Sequence, residues 1–280
     1  MSSLVNDGDR AYKRSVTDTA LTVLNILTLL FGISLNIAVI VGICRKSYEK
    51  SAWEVIFVWY CIQNMSVTAD INFSYGFSHW YLPHWMCPMY MFLNQSLIGS
   101  TAITVSCLAF ISIVFYKDLS KRCLPAEIFL VLFSIVTAAI ISIPSAIYSE
   151  ALTIGISKMN TICVANSVPA YDFATYVLFF FCPVLATIGM TILFSILRRA
   201  CANSNTRVLI VRVIIAVIYI VCWSPRSLMT FLFSLQQFND ASYDFLILFR
   251  VFTWLITLGC CLSALACFDT GAICSKGIML

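Results

Sequence analysis

Charged side chains and histidines are scarce in this sequence of 280 residues. Asp, Glu, Lys and Arg make up only 11% of it, whereas soluble domains carry about 25%, so an ordinary soluble domain is excluded. The two histidines, His79 and His84, lie beside aromatic residues, and we predict an exposed loop there and no metal site. The net charge of +4 is small, so we predict no nucleic-acid partner.

Catalytic motifs are also missing. The sequence has no glycine-rich phosphate loop and no nucleophile motif, so we predict that the chain is not an enzyme and binds no cofactor. Its 13 cysteines lie mostly inside apolar runs, where cysteine behaves as a small hydrophobic residue rather than as part of a disulfide scaffold. Hydrophobic residues, in contrast, reach 61%, with a mean hydropathy of +0.93. This composition predicts a membrane protein that crosses the bilayer several times.

Seven apolar runs are long enough to cross a hydrocarbon core of about 30 Å as helices. The second and third are the least hydrophobic, because both carry polar residues in mid-span. We predict an all-α bundle of seven transmembrane helices over residues 19–268, an extracellular N-terminus (1–18) and a short cytoplasmic tail (269–280). The spans are Thr19–Cys44, Trp53–Phe77, Met89–Tyr116, Ile128–Tyr148, Phe173–Leu197, Val208–Phe233 and Phe245–Phe268.

Basic residues set the predicted orientation, because they are enriched on the cytoplasmic side of membrane proteins. An external N-terminus and an internal C-terminus put most of the 17 Lys and Arg residues inside. Two cysteines, Cys87 and Cys163, then fall on the outer side, where they meet an oxidising compartment during synthesis. They form either a disulfide that ties the loop after span four to span three, or two free thiols.

Span six carries a proline near its middle, in Cys222-Trp223-Ser224-Pro225. Proline removes a backbone donor and clashes with the preceding turn, so we predict a kink. One interpretation is an ordinary membrane helix that contains a proline, and the other is a hinge with a bulky indole at its pivot. Arg226 follows, and a charge within a span usually faces the bundle interior.

Asp70 in span two is the acid nearest in depth to Arg226. It lies six residues beyond Asn64, which turns the helix by about 240°, so the two side chains do not share a face unless span two bends. Three alternatives stay open: Arg226 meets Asp70 inside an outward-opening cavity, Arg226 extends to the outer interface, or Asp70 pairs with another residue. Arg250 opens span seven on the same side.

Several short motifs, in order, resemble those of the rhodopsin-like (class A) G-protein-coupled receptors, and in particular a divergent chemokine receptor. The resemblance covers nearly the whole chain. It rests on the seven spans, the cysteine pair and their surroundings: Trp80 seven residues before Cys87, Asn36 in span one, Asn64 in the place of a buried aspartate, Pro183 in span five, Cys222–Pro225 in span six, and Cys260-Cys261-Leu262 with Gly259 in the place of a histidine.

The departures from the family pattern concern the cytoplasmic side. Ile111-Ser112-Ile113 stands where the family has Asp-Arg-Tyr, and 263–267 replaces Asn-Pro-x-x-Tyr. The family's span-four tryptophan is missing, with Ser134 near its place. Without the span-three arginine, coupling to a heterotrimeric G protein needs a non-standard route. A chain that keeps the seven spans but lacks these motifs resembles virus-encoded or decoy receptors. This resemblance concerns the fold and not the binding site.

The resemblance implies a multi-pass protein of the plasma membrane, that of the host cell for a virus-encoded chain. Its ligand site would include Trp223, Arg226, Asp70, Arg250 and Thr253, the last standing where many chemokine receptors carry a ligand-binding glutamate. Pro183 and Pro225 would be helix hinges, and Asn36 and Asn64 interior polar residues.

Three functions follow as hypotheses. The first is a receptor for an extracellular ligand, either a chemokine or none, with atypical, constitutive or decoy signalling. The second is a non-signalling membrane protein that associates with other receptors, with itself or with host proteins. The third is a transporter, which predicts broken helices in paired halves, and the sequence has no such symmetry. Membrane lipids are partners in all three.

Overall fold

The computed structural model describes residues 2–45, 52–76, 80, 82–114, 124–154, 160–165, 168–200, 205–234 and 243–269. Within these ranges the chain is helical apart from one hairpin and short connections. Its elements are α1 (Ser2–Arg45), α2 (Ala52–Gly76), α3 (Met86–Val114), α4 (Leu124–Ile147), β1 (Ser149–Ile154), β2 (Asn160–Ala165), α5 (Pro169–Tyr176), a π-helical turn (Val177–Phe181), α6 (Cys182–Ala200), α7 (Asn205–Ser234) and α8 (Tyr243–Asp269).

The prediction of an all-α membrane protein is confirmed. Among the residues that the structure describes, six helical segments are long and apolar enough to cross a membrane: Thr19–Cys44, Met86–Ile111, Pro125–Ile147, Ala170–Ile192, Ile210–Leu232 and Ile247–Cys267. In α2 the described side chains are those of Val55–Ile71, which is an apolar stretch. The second of the seven predicted spans therefore stays a prediction.

The first helix begins earlier than predicted. Helix α1 starts at Ser2 rather than Thr19 and is 44 residues long, which corresponds to about 66 Å. Its apolar part occupies Thr19–Cys44, so the segment predicted as an extracellular terminus continues the same rod. Of the predicted cytoplasmic tail, 269–280, all but Asp269 lies outside the described residues.

Cys87 and Cys163 form a disulfide, with their Cα atoms 5.5 Å apart, and this prediction is confirmed. Cys87 opens α3, while Cys163 lies on β2 opposite Ala151 of β1 in an antiparallel hairpin. The sequence did not predict this hairpin. The side of the bundle that carries the disulfide is called the disulfide end below, and the other side the opposite end.

The fifth rod runs without a break from α5 through the π-helical turn into α6. Pro183 has no N–H to give to the carbonyl group four residues earlier, that of Phe179. The Tyr219 hydroxyl group on α7 donates to this carbonyl oxygen instead, at 3.0 Å. The hinge predicted at Pro183 is therefore a place where a neighbouring helix supplies the missing donor, as the membrane interior requires.

Helix α3 lies at the centre of the bundle and packs against α2, α4, α6 and α7. Two glycines permit the closest approaches between helices. A Cβ atom at Gly99 would overlap the Phe179 ring, and one at Gly259 would lie 2.8 Å from the Cys222 Cβ. The second distance explains why no histidine stands at 259, since α7 and α8 leave no room for a side chain.

Candidate functional site

Four side chains from four helices form a half-buried group at the disulfide end, here called the disulfide-end cluster: Asp70, Tyr90, Arg226 and Phe249. The Tyr90 hydroxyl group of α3 donates to the Asp70 carboxylate of α2, and Arg226 of α7 is close enough to attract that carboxylate electrostatically. The Arg226 guanidinium carbon lies 5.5 Å from the centre of the Phe249 ring on α8, within the range of a cation–π contact.

Aromatic and amide groups extend this cluster toward the loop before α3. The Trp80 and Tyr90 rings have centroids 5.4 Å apart, and Asn94 Nδ2 lies 3.5 Å from the Tyr90 hydroxyl oxygen. The Trp80 indole nitrogen faces the Pro83 carbonyl oxygen at 3.4 Å. The cluster thus joins the disulfide-linked start of α3 to the polar groups on α2 and α7.

Asp70 has its side-chain hydrogen bond with Tyr90 of α3, and Arg226 attracts the same carboxylate electrostatically. Asp70 does not share the face of Asn64, as the 240° turn predicted. The turn does not keep Asp70 away from the other helices, because two faces of α2 point into the bundle. Asn64 faces Asn36 of α1 and Ser263 of α8, whereas Asp70 faces Tyr90 of α3 and Arg226 of α7.

The other predicted ligand-site residues lie around this cluster. Trp223 is buried three residues before Arg226 and stacks on Tyr219, with ring centroids 5.1 Å apart. Thr253 is buried, and its hydroxyl group donates to the Phe249 carbonyl oxygen at 2.7 Å. Arg250 is half-buried next to Phe249. Of the five predicted residues, three are therefore half-buried and two, Trp223 and Thr253, are buried.

An aromatic wall, which the sequence did not predict, stands beside α7 near the same end. The Tyr176 and Phe231 rings stack with centroids 4.6 Å apart and planes 9° apart. Phe173 adds a tilted contact to Phe231 at 5.9 Å. These rings fill the space between α5 and α7. The contact depends on how the two helices face each other, so the positions of the rings along the chain do not predict it.

The interior polar residues form one network in mid-bundle. Asn36 Nδ2 donates to the Gly32 carbonyl oxygen at 2.8 Å, and Asn64 Nδ2 donates to Ser263 Oγ at 3.2 Å and to Asn36 Oδ1 at 3.5 Å. The Tyr60 hydroxyl group also bonds to Asn64 and Ser263. Three helices are thus linked by neutral amides and hydroxyls where the resembled family has a carboxylate.

Residues 111–113, which the resemblance aligns with the family's Asp-Arg-Tyr, lie near the opposite end of α3. The Ile111 side chain is buried, whereas those of Ser112 and Ile113 lie outside the described side chains. A cation does occupy this end of the bundle, but it comes from α7: Arg212 is buried, and it interacts electrostatically with the buried Glu127 of α4.

The interaction of this pair was not predicted from the sequence. One signal was present, since each residue is a lone charge inside an apolar run, and such charges pair inside membrane bundles.

No protein-family model matches this chain, and no curated protein sequence is similar enough to it to show a family. Within the described ranges, no group of three or more His, Cys, Asp or Glu residues could hold a metal ion. The arrangement at the disulfide end can therefore be described only by its own chemistry. It offers a carboxylate, a guanidinium group and a phenol within a half-buried aromatic frame.

Proposed function

We propose that this chain is a cell-surface receptor of the rhodopsin-like type, related in design to the chemokine receptors. Seven helices cross the plasma membrane, with the N-terminus outside and the C-terminus inside, so the disulfide end faces the extracellular ligand. The disulfide-end cluster is the observation that carries this proposal. Charged groups are costly within a membrane bundle and usually mark a functional site, and Asp70 and Arg226 are half-buried.

The cluster suits a ligand that carries charged or polar groups of its own. Arg226 can bind an anionic group of the ligand and Asp70 a cationic one, while Tyr90, Trp80 and Phe249 supply aromatic surface. An extracellular protein such as a chemokine presents both kinds of charge. Binding would replace the attraction between Asp70 and Arg226 by contacts to the ligand.

Signalling, in this proposal, reaches a heterotrimeric G protein by a non-standard route. The motif at 111–113 supplies no basic residue, and the buried Arg212 is a cation from α7 at the same end. Atypical, constitutive or decoy signalling fits this arrangement better than ordinary coupling.

A second candidate function is a non-signalling protein that acts by association with other receptors or host proteins, or with copies of itself. Two observations favour it. Ile111 is buried where the resembled family has the first residue of its activation motif. Ser263 is bound into the interior network where that family has the asparagine of another.

Binding of labelled chemokines to cells that display the full chain separates these candidates. A receptor should bind at least one of them, and Asp70→Asn and Arg226→Gln should each weaken binding at normal surface levels. Asp172→Asn is the matched control, since Asp172 lies in the first turn of α5, outside the cluster. Binding that survives both cluster variants would refute the site.

A G-protein assay on the same cells completes the test. Ligand-driven or ligand-free activation supports the receptor. Silence in this assay, together with no ligand binding and normal surface delivery, supports the second candidate.

A further inference from the structure

Two enclosed polar atoms in mid-bundle have no hydrogen-bond partner within the described ranges: Gln63 Oε1 on α2 and Ser96 Oγ on α3. Gln63 is 1% exposed, and the nitrogen of its amide group donates to Ser100 Oγ on α3. An amide group presents both a donor and an acceptor, so this bond satisfies one end of Gln63 and leaves the other unpaired. An unpaired polar atom is costly in a membrane bundle, because bulk water does not reach it.

Ser96 and Ser100 share the face of α3 that meets Gln63. They are four residues apart, so their Cβ atoms are about 5–6 Å apart. A water molecule that bonds to two oxygen atoms joins groups about 5.5 Å apart, since each such bond is about 2.7–2.8 Å long. One water molecule can therefore bond to Ser96 and to the unpaired end of Gln63.

The register between α3 and α4 is set by two contacts. Thr104 Oγ1 on α3 donates to Ser134 Oγ on α4 at 3.3 Å, and Ser145 Oγ on α4 donates to the Met91 carbonyl oxygen on α3 at 3.5 Å. Residue numbers rise along α4 as they fall along α3, so the two helices run antiparallel. A step of eight residues back along α3 thus matches a step of eight residues forward along α4.

This register brings a third polar group, Ser142 of α4, to the level of Ser96. Ser142 is 0% exposed, and its hydroxyl group donates to the Ala138 carbonyl oxygen at 2.7 Å, so its oxygen can still accept a hydrogen bond. Helices α2, α3 and α4 pack against one another. Three neutral polar side chains, one from each helix, therefore meet at one level of the bundle.

We propose that Gln63, Ser96 and Ser142 hold one buried water molecule at the junction of α2, α3 and α4. The Ser96 hydroxyl group donates to the water, and the water donates to Gln63 Oε1 and to Ser142 Oγ. Three hydrogen bonds are typical of a buried water molecule, and the neutral groups suit water rather than an ion. The site is a property of the bundle and holds for either of the proposed functions.

Ser96→Ala separates a hydrated site from a dry one by the sign of its effect. In a hydrated site the water loses a partner, and the melting temperature of the full chain in lipid nanodiscs should fall by about 2–4 °C. In a dry site the change removes an unpaired buried hydroxyl group, which should leave the melting temperature unchanged or raise it.

Ser106→Ala is the matched control. Ser106 lies on the same helix, and its hydroxyl group donates to the Ala102 carbonyl oxygen at 3.0 Å. Both variants replace serine by alanine in α3, so the change in helix propensity is the same. The difference between their melting temperatures therefore reports the water.

A second change tests whether the three groups share one water molecule. In a chain that already carries Gln63→Leu, Ser96→Ala should have almost no further effect, because the water has already lost its other partner. Effects that simply add would overturn the shared site. If Gln63→Leu cannot be purified, Ser142→Ala takes its place in the same comparison.

A density map of the full chain in nanodiscs, at a resolution that shows ordered water, observes the site directly. It should show a water oxygen about 2.7–3.2 Å from Gln63 and from Ser96. Direct contact between these two side chains with no water between them would overturn the proposal, as would a melting temperature that rises in Ser96→Ala relative to Ser106→Ala.

Discussion

Each end of α7 carries an arginine that attracts an acidic residue of another helix, and the two pairs differ in their surroundings. At the disulfide end, Arg226 lies near Asp70, and both are half-buried among aromatic rings. Near the opposite end, about 21 Å along the same helix, Arg212 lies near Glu127, and both are fully buried. The same two kinds of side chain therefore have different uses. In the proposed receptor, the half-buried pair would exchange its partners with a ligand, whereas the buried pair is shielded from solvent.

The linkage of the two ends differs as well. The disulfide end has a covalent bond between α3 and the β1–β2 hairpin. At the opposite end, within the described residues, only noncovalent contacts join the helices. The disulfide end is therefore the more firmly cross-linked of the two within the described residues.

Loss of the disulfide should have the largest effect on stability, because it removes the covalent bond that distinguishes the two ends. Cys163→Ser removes a cross-link between residues separated by 76 positions, and closing a loop of that length accounts for about 4–5 kcal/mol of stability. We expect a large fall in the melting temperature in detergent and poor delivery to the cell surface. Cys182→Ser, which changes an exposed free thiol, should leave both unchanged. Equal melting temperatures for the two variants would contradict the role assigned to the bond.

The two charge contacts should differ in their effect on the free energy of unfolding. Glu127→Gln leaves a fully buried guanidinium group without its acid and should cost about 3–5 kcal/mol. Asp70→Asn changes a half-buried pair, for which about 1 kcal/mol or less is expected. Denaturation of both variants, of Arg212→Gln and Arg226→Gln, and of the two corresponding double variants completes two double-mutant cycles. Equal losses at the two ends would remove the distinction between them.

The sequence was informative where one residue decides the outcome locally. Apolar length predicted six helices that are long and apolar enough to cross a membrane within the described residues, and the predicted outward placement of Cys87 and Cys163 gave the disulfide as one of two alternatives. The charge contacts depend instead on which faces of separate helices meet. Asp70 illustrates this: its rotation relative to Asn64 was predicted correctly, but the sequence could not show that α2 has neighbours on both faces. The interaction between Glu127 and Arg212 was not predicted from the sequence for the same reason.

Close packing between α7 and α8 should matter less than the buried charges but still be measurable. Gly259→Ala places a Cβ atom 2.8 Å from the Cys222 Cβ and 3.0 Å from its Sγ, and such overpacking costs about 1–3 kcal/mol. Gly32→Ala is the control, since its Cβ would meet Cys261 Sγ at a looser 3.2 Å. Gly259→Ala should lower the melting temperature more than Gly32→Ala does. The reverse order would contradict the close contact between α7 and α8.

The smallest effect is expected midway between the two charge contacts, at Tyr219 of α7. Tyr219→Phe keeps the ring that stacks on Trp223 but removes the hydroxyl group that donates to the Phe179 carbonyl oxygen. Loss of one hydrogen bond to a buried carbonyl group should cost about 1 kcal/mol, measured as a shift in the denaturation midpoint, with Tyr148→Phe as the exposed control. A loss that small, with both charge contacts intact, means that the middle of α7 can shift along α6 at little cost. If the free energy of unfolding fell as much as it does in Glu127→Gln, Tyr219 would be a third strong contact along α7. The two ends of the helix could then not act separately.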